Sequence, residues 1–163
     1  PAWCTSVAAV DADGSLAGAV YAPVTDEMFS AGRGGGATRN GIQIKASSAT
    51  DIALSMVGTG FSYLPEHRLP QARRIRELLP QVRDIRRYGS AAIDLAYVAC
   101  GRLDAYFEEH LNSWDMAAGL LIATEAGAIT SDLHGGTPDE GGVLAAAPGI
   151  HQSLLGAIQD ASS

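Results

Sequence analysis

Gly89 to Gly127 reads GSAAIDLAYVACGRLDAYFEEHLNSWDMAAGLLIATEAG, a helix, a strand and a second helix. Ser90 suits an N-cap, because its hydroxyl can accept a backbone N–H two or three residues on. Ala91 to Cys100 is almost entirely apolar or small, which predicts a helix buried on all sides. Gly101 then supplies the left-handed residue that ends many helices. Leu103, Ala105 and Phe107 alternate with Asp104, Tyr106 and Glu108, the period of a strand. Asp115 is placed to cap a second helix from Met116 to Ala126, with Gly127 as its stop. Met116, Leu120 and Thr124 lie four apart in it, with Ala117 and Leu121 beside them.

This spacing has a chemical consequence. The two helix starts, at Gly89-Ser90 and at Asp115, can open toward the same end of the strand between them. Helix N-termini carry free N–H groups and partial positive charge, so they attract phosphate. Asp115 adds a hard oxygen of the type Mg²⁺ prefers, and Glu108 ends the strand next to the same space. Spacing alone is equally met by Ser90 and Asp115 as plain caps and Glu108 as a solvated strand end, and it favours that simpler reading.

Working outward, Val82 to Arg87 reads as a strand leading into the stretch, with Arg86 and Arg87 just before Gly89. Either arginine can hold phosphate or pair with an acidic neighbour, and pairing is the expectation. Leu69 to Leu79 reads as a helix ended by Pro80, its Arg73, Arg74 and Arg76 forming a solvated face. Leu54 to Thr59 reads as a strand, and the loop Gly60-Phe61-Ser62-Tyr63 at its end stands where open α/β sheets often contact ligands. Downstream, Ala128 to Thr130 is a short strand and Asp132 to Gly142 a loop. Val143 to Ala147 is a buried strand and Ile150 to Ile158 a final helix. His67, His110, His134 and His151 have no metal-ligand spacing and read as surface or loop histidines.

Residues 1–46 have a different character. Ser6 to Val10 and Leu16 to Tyr21 flank Asp13-Gly14, a hairpin signal. Met28 to Ala31 is a short strand, and Asn40-Gly41 makes a second hairpin before Ile42 to Lys45. Gly32, Gly34 and Ala37 match the G-x-G-x-x-[GA] pattern, but an Asn-Gly turn follows where a dinucleotide site needs a helix. The expected fold class is therefore α+β. An antiparallel β-hairpin region, 1–46, precedes a mixed α/β sheet with helices, 47–163.

Composition narrows the function. The 163 residues are 47% hydrophobic, enough for one domain with a core. A net charge of −7 argues against nucleic acid, which calls for a basic face. Cys4 and Cys100 form no CxxC pair and no secreted-type framework. No apolar run reaches membrane-spanning length. A cytoplasmic protein with no membrane partner is expected.

The order Gly89-Ser90-Ala91-Ala92, Gly101-Arg102-Leu103-Asp104-Ala105-Tyr106, Glu108, Trp114-Asp115-Met116-Ala117-Ala118-Gly119 and Glu125-Ala126-Gly127 resembles the carboxy-terminal signature of the inositol monophosphatase family. Pro23, Asp26-Glu27, Phe29-Ser30-Ala31, Gly34 and Asn40-Gly41 resemble the family's middle region, and Ala145-Ala146-Ala147-Pro148 its last strand. The resemblance implies a layered αβαβα sugar-phosphatase architecture and a Mg²⁺-dependent phosphomonoesterase acting on inositol monophosphate. It implies that Asp115 is a metal ligand, that Gly89, Ser90 and Ala91 line the inositol pocket, and that Glu108 accepts from ring hydroxyls. The family's upstream D-P-[IL]-D-G-T segment and the glutamate before it do not occur here. A carboxy-terminal part, inactive alone, is the expectation, with a small phosphate monoester as partner and a homodimer as assembly. The alternatives are a same-fold phosphatase for another substrate, such as histidinol phosphate, and a non-catalytic interaction fragment.

Overall fold

Two sheets, with helices between them and on one outer face, build the molecule in layers. The structure is a computed structural model and describes residues 2–161. Its first sheet is an antiparallel meander of β1 (Thr5–Asp11), β2 (Gly14–Ala22), β3 (Glu27–Gly32), β4 (Ala37–Arg39) and β5 (Ile42–Gln43), in that order. Asp13-Gly14 turns β1 into β2, Gly14 adopting φ +106°. Asn40 and Gly41, at φ +51° and +78°, make the primed-type turn that an Asn-Gly pair favours.

The second sheet is mixed. It contains β6 (Met56–Thr59), β7 (Asp84–Arg86), β8 (Ala105–Glu108), β9 (Ile129–Ser131) and β10 (Val143–Ala146), ordered β7-β6-β8-β10-β9. β6 runs parallel to β7 and β8, while β10 is antiparallel to β8 and β9. Helices α2 (Ala91–Ala99) and α3 (Ser113–Glu125) lie between the sheets, and α1 (Pro65–Leu78) and α4 (His151–Asp160) cover the far face. Side chains on β8 and β10 divide accordingly. Tyr106, Val143 and Ala145 join Leu95, Ile122 and the first sheet's Val20 and Phe29 in one core. Ala105, Phe107, Leu144 and Ala146 join Leu78, Leu154 and Ile158 in the other. This is an α+β fold with a mixed second sheet.

The helix layer is tight because small residues let backbones approach. A Cβ on Gly119 would lie 2.7 Å from Leu95 Cβ, and one on Gly18 would lie 2.9 Å from Ala118 Cα. Leu95 is fully buried at this crossing, a burial worth roughly 2–3 kcal/mol. Arg102, just after α2, donates two 2.7 Å hydrogen bonds to the Glu27 carboxylate of β3. This bidentate pair ties the first sheet to the helix layer and holds the Glu27 carboxyl below the usual carboxylate range.

Several local expectations are corrected. α3 begins at Ser113 with Asn112 as its N-cap, so Asp115 is the third helical residue and not the cap. α1 begins at Pro65 and runs through Pro70; proline is favoured at a first helical position, where its missing N–H has no partner to lose. Arg74 is not on a solvated face. It is buried and ion-paired with Glu109. His151 is also buried, its Nε2 3.0 Å from Ser131 Oγ, and burial pulls its pKa down. No helix among the described residues is long and apolar enough to cross a membrane.

Candidate active site

Both central helix starts open on one cavity of about 590 Å³. From the α2 side, Gly89, Ser90, Ala91 and Ala92 line it. Ser90 is the N-cap predicted, its Oγ accepting from Ile93 N at 3.4 Å. The N–H groups of Ala91 and Ala92 precede the first intrahelical bond of α2, which runs from Asp94 N to Ser90 O, so they face the cavity as donors. From the α3 side, Asn112, Trp114 and Asp115 complete the wall. Asp115 Oδ2 accepts from Asn112 N at 3.0 Å, a reciprocal start to the helix that fixes the carboxylate's direction.

Glu108 stands between them at the end of β8. Tyr106 Oη donates a short hydrogen bond to Glu108 Oε2. A Cβ on Gly60 would fall inside the Glu108 carboxylate, so only glycine lets this side chain lie against β6's end. Burial raises the Glu108 pKa, Asp115 adds to the rise, and Tyr106 and Arg87 oppose it. Burial also lifts the Tyr106 phenol well above its ordinary range. Beneath them lies Asp94, only 1% exposed, whose Oδ1 has no hydrogen-bond partner among the described residues. Burial, reinforced by Glu108, pushes its pKa up to about 7.

The five residues singled out in the sequence, Gly89, Ser90, Ala91, Glu108 and Asp115, thus share one cavity. Others were not foreseen. Cys4 enters from β1's approach, with Sγ 3.5 Å from Ser90 Oγ. His67 and His110 stack at 3.9 Å on the same cavity, and His67 Nδ1 lies 3.1 Å from Ser62 Oγ. Arg86 pairs with Asp84 as expected, but Arg87 lines the cavity without an ion pair among the described residues. A lone acid in an apolar helix was the visible signal for Asp94. Nothing local marks Cys4 or His110.

Mg²⁺ takes about six oxygens in near-octahedral geometry. Among the described residues no group of three or more His, Cys, Asp or Glu is arranged to hold a metal ion. Asp115 has one carboxylate oxygen already used by Asn112. These residues fit a single ligand and do not make a metal site by themselves.

The sequence profile of the inositol monophosphatase family matches residues 1–163. The chain belongs to the inositol monophosphatase family. It is 46% identical to inositol-1-monophosphatase of Mycobacterium leprae, over 98% of this chain and 57% of that protein. It is 43% identical to Nus factor SuhB of Xylella fastidiosa, over 83% of this chain and 50% of that protein. The solved structure of Mycobacterium tuberculosis SuhB superposes with a TM-score of 0.91 at 40% identity, covering 99% of this chain and 65% of that one. The chain spans about half the length of the curated relatives it matches.

Proposed function

We propose that these residues are the carboxy-terminal, substrate-holding part of a Mg²⁺-dependent phosphomonoesterase that hydrolyses inositol monophosphate. The observation that carries this reading is the convergence of two helix N-termini and Glu108 on one cavity. Phosphate oxygens accept from the Ala91 and Ala92 N–H groups and the Ser90 hydroxyl. Glu108, fixed by Tyr106, accepts from ring hydroxyls and orients the ring. Asp115 contributes one oxygen toward a metal whose other ligands lie outside these residues. Metal bound there would supply Lewis-acid stabilisation of the leaving oxygen. The name of the Mycobacterium leprae relative supports the substrate class. A homodimer in the cytoplasm remains the assembly and location we propose.

The test compares two preparations in Mg²⁺. Residues 1–163 alone should not hydrolyse inositol 1-phosphate, and adding a segment that carries D-P-[IL]-D-G-T should restore hydrolysis. Turnover by the chain alone, abolished in an Asp115→Ala control, would overturn the division of labour. No turnover by either would overturn the phosphatase reading. That last result would favour a protein-interaction role, the reading supported by the Nus factor name of the Xylella fastidiosa relative.

A further inference from the structure

A small cavity of about 10 Å³ lies between α1 and the ends of β6 and β8. Thr59, Gly60, Gln71, Arg74, Glu108 and Glu109 line it, and the two glutamates also line the main cavity. We propose that the small cavity binds one water molecule, shared between the Gln71 amide and the Glu108 carboxylate, and that Gln71 thereby positions Glu108 toward the ring of the substrate. The water site stands on geometry, and only the ring it serves rests on the phosphatase reading.

The argument starts in the sequence of α1. Its buried residues are Gln71, Arg74 and Leu78, spaced as one face of a helix. A face turned to a core is normally apolar, and here only the last member is. Each polar member meets a partner off the helix. Arg74 pairs with Glu109, and Gln71 Oε1 accepts from Ser62 N at 3.0 Å. A backbone N–H must meet the oxygen of the amide, so this bond fixes which way the amide lies. Its Nε2 is then a donor in a residue only 4% exposed, with no hydrogen-bond partner among the described residues. Buried donors are met by an acceptor, from protein or from water.

Water fits this donor in size and in chemistry. The cavity has the room that one water needs, and a buried water keeps two to four polar partners. A bare cation brings no acceptor for Nε2, whereas a water oxygen accepts from the amide and donates onward to a carboxylate. Thr59, itself 1% exposed, can supply a third partner. On β8, Tyr106 faces the core between the sheets and Phe107 the core under α1 and α4, so Glu108 leaves the strand on the Tyr106 side. The side chain that Gly60 lacks opens the end of β6, and the Glu108 carboxylate fills that place. Tyr106 donates to Glu108 Oε2, which leaves Oε1 for the water. Held on both oxygens, the carboxylate keeps one direction.

The test uses the full-length protein. A high-resolution crystal structure should show one water within hydrogen-bonding distance of Gln71 Nε2 and of a Glu108 oxygen. Gln71→Met keeps the length of the side chain and removes both polar atoms, and Gln71→Leu repeats the test with another shape. In each variant, KM for inositol 1-phosphate divided by KM for an aryl phosphate without hydroxyls should rise about threefold, the size of one ordinary hydrogen bond. In a Glu108→Ala background, Gln71→Met should leave that ratio where it stands. A Gln71 that only supports the fold would lower Tm and leave the ratio unmoved, which would overturn the positioning role. A rise that persists without Glu108 would overturn it as well. A protein acceptor or a metal ion in place of the water would overturn the site. The water in place, in a protein that turns over neither substrate, would keep the site and overturn the phosphatase reading.

Discussion

The helix layer has two ends that use the same chemistry in opposite ways. At the far end of α3, Gly34 N and Gly36 N, both in left-handed glycines, donate at 2.7 and 2.8 Å to the Glu125 carboxylate. This is an anion cradle made of backbone N–H groups, and the chain fills it with its own side chain. At the start of α2 the N–H groups of Ala91 and Ala92 form a second such cradle, and there a cavity faces them. The carboxylates follow the same division. Glu125 is matched by two donors, whereas Asp94 is buried with one oxygen unmatched. The closed end fastens the first sheet to α3, and the open end leaves the start of α2 on the cavity with Asp94 buried outside its lining. Local rules broken at one place in an otherwise consistent fold mark function more sharply than any single motif.

The largest effect should come from the open end. Asp115→Asn in the full-length protein should cut Mg²⁺-dependent turnover on the order of 10³-fold, because a metal contact is worth several kcal/mol in the transition state. The amide oxygen can still accept from Asn112 N, so α3 should stay capped and Tm should hold within a few degrees. Unchanged turnover across a Mg²⁺ titration would reduce Asp115 to part of the helix start.

Next is Asp94, where the open end costs stability. The folded chain keeps its proton to about pH 7, while the unfolded chain releases it near 3.8. The native state therefore binds more protons across that window. The stability Asp94 lends is complete below about pH 4. It is lost as pH rises to 7, with a ceiling on the order of 4 kcal/mol. Asp94→Asn cannot ionise, so urea unfolding at pH 5 and pH 8 should show a smaller loss in the variant than in wild type. Parallel pH dependence in the two proteins would mean the carboxyl ionises freely.

These features were unequally legible in the sequence. Ser90, Gly101 and Gly127 mark their helix ends because caps and left-handed glycines act within a few residues. Glu108 was read as the last residue of its strand, where β8 does end, but spacing favoured a solvated strand end and its packing over Gly60 did not show. Asp115 was taken for a cap because Asn112 and Asp115 carry helix-start signals of the same chemistry three residues apart. Arg74 was misjudged because its partner, Glu109, lies far along the chain in the connection after β8. Glu125 was quoted only as part of the family signature, its partners lying far back in the glycine-rich turn. Short-range chemistry shows in a sequence, and a partner brought in by the fold does not.

The closed end predicts a stability effect with little change in catalysis. Glu125→Ala removes two charge-assisted hydrogen bonds to backbone donors that water only partly replaces. The cost should be about 2 kcal/mol, the usual size for hydrogen bonds to a charged group. Tm should fall by roughly 4–8 °C, and kcat/KM measured well below Tm should change less than threefold. A catalytic defect matching an active-site variant would erase the contrast between the two ends.

The smallest effect tests whether the open end selects its ligand as well as holding it. Glu108 is fixed by the Tyr106 hydroxyl and by the room Gly60 leaves. Glu108→Gln keeps the shape and removes an acceptor charge, so hydrogen bonds to ring hydroxyls should weaken by about 1 kcal/mol. KM for inositol 1-phosphate should rise roughly fivefold, while KM for an aryl phosphate without hydroxyls should change little. The two substrates share the phosphate, so any damage to the N–H cradle or to Asp115 would appear in both. A difference between them isolates the carboxylate's hold on the ring. An equal rise for both would show that Glu108 shapes the cavity for every phosphate, and the open end would then bind without choosing.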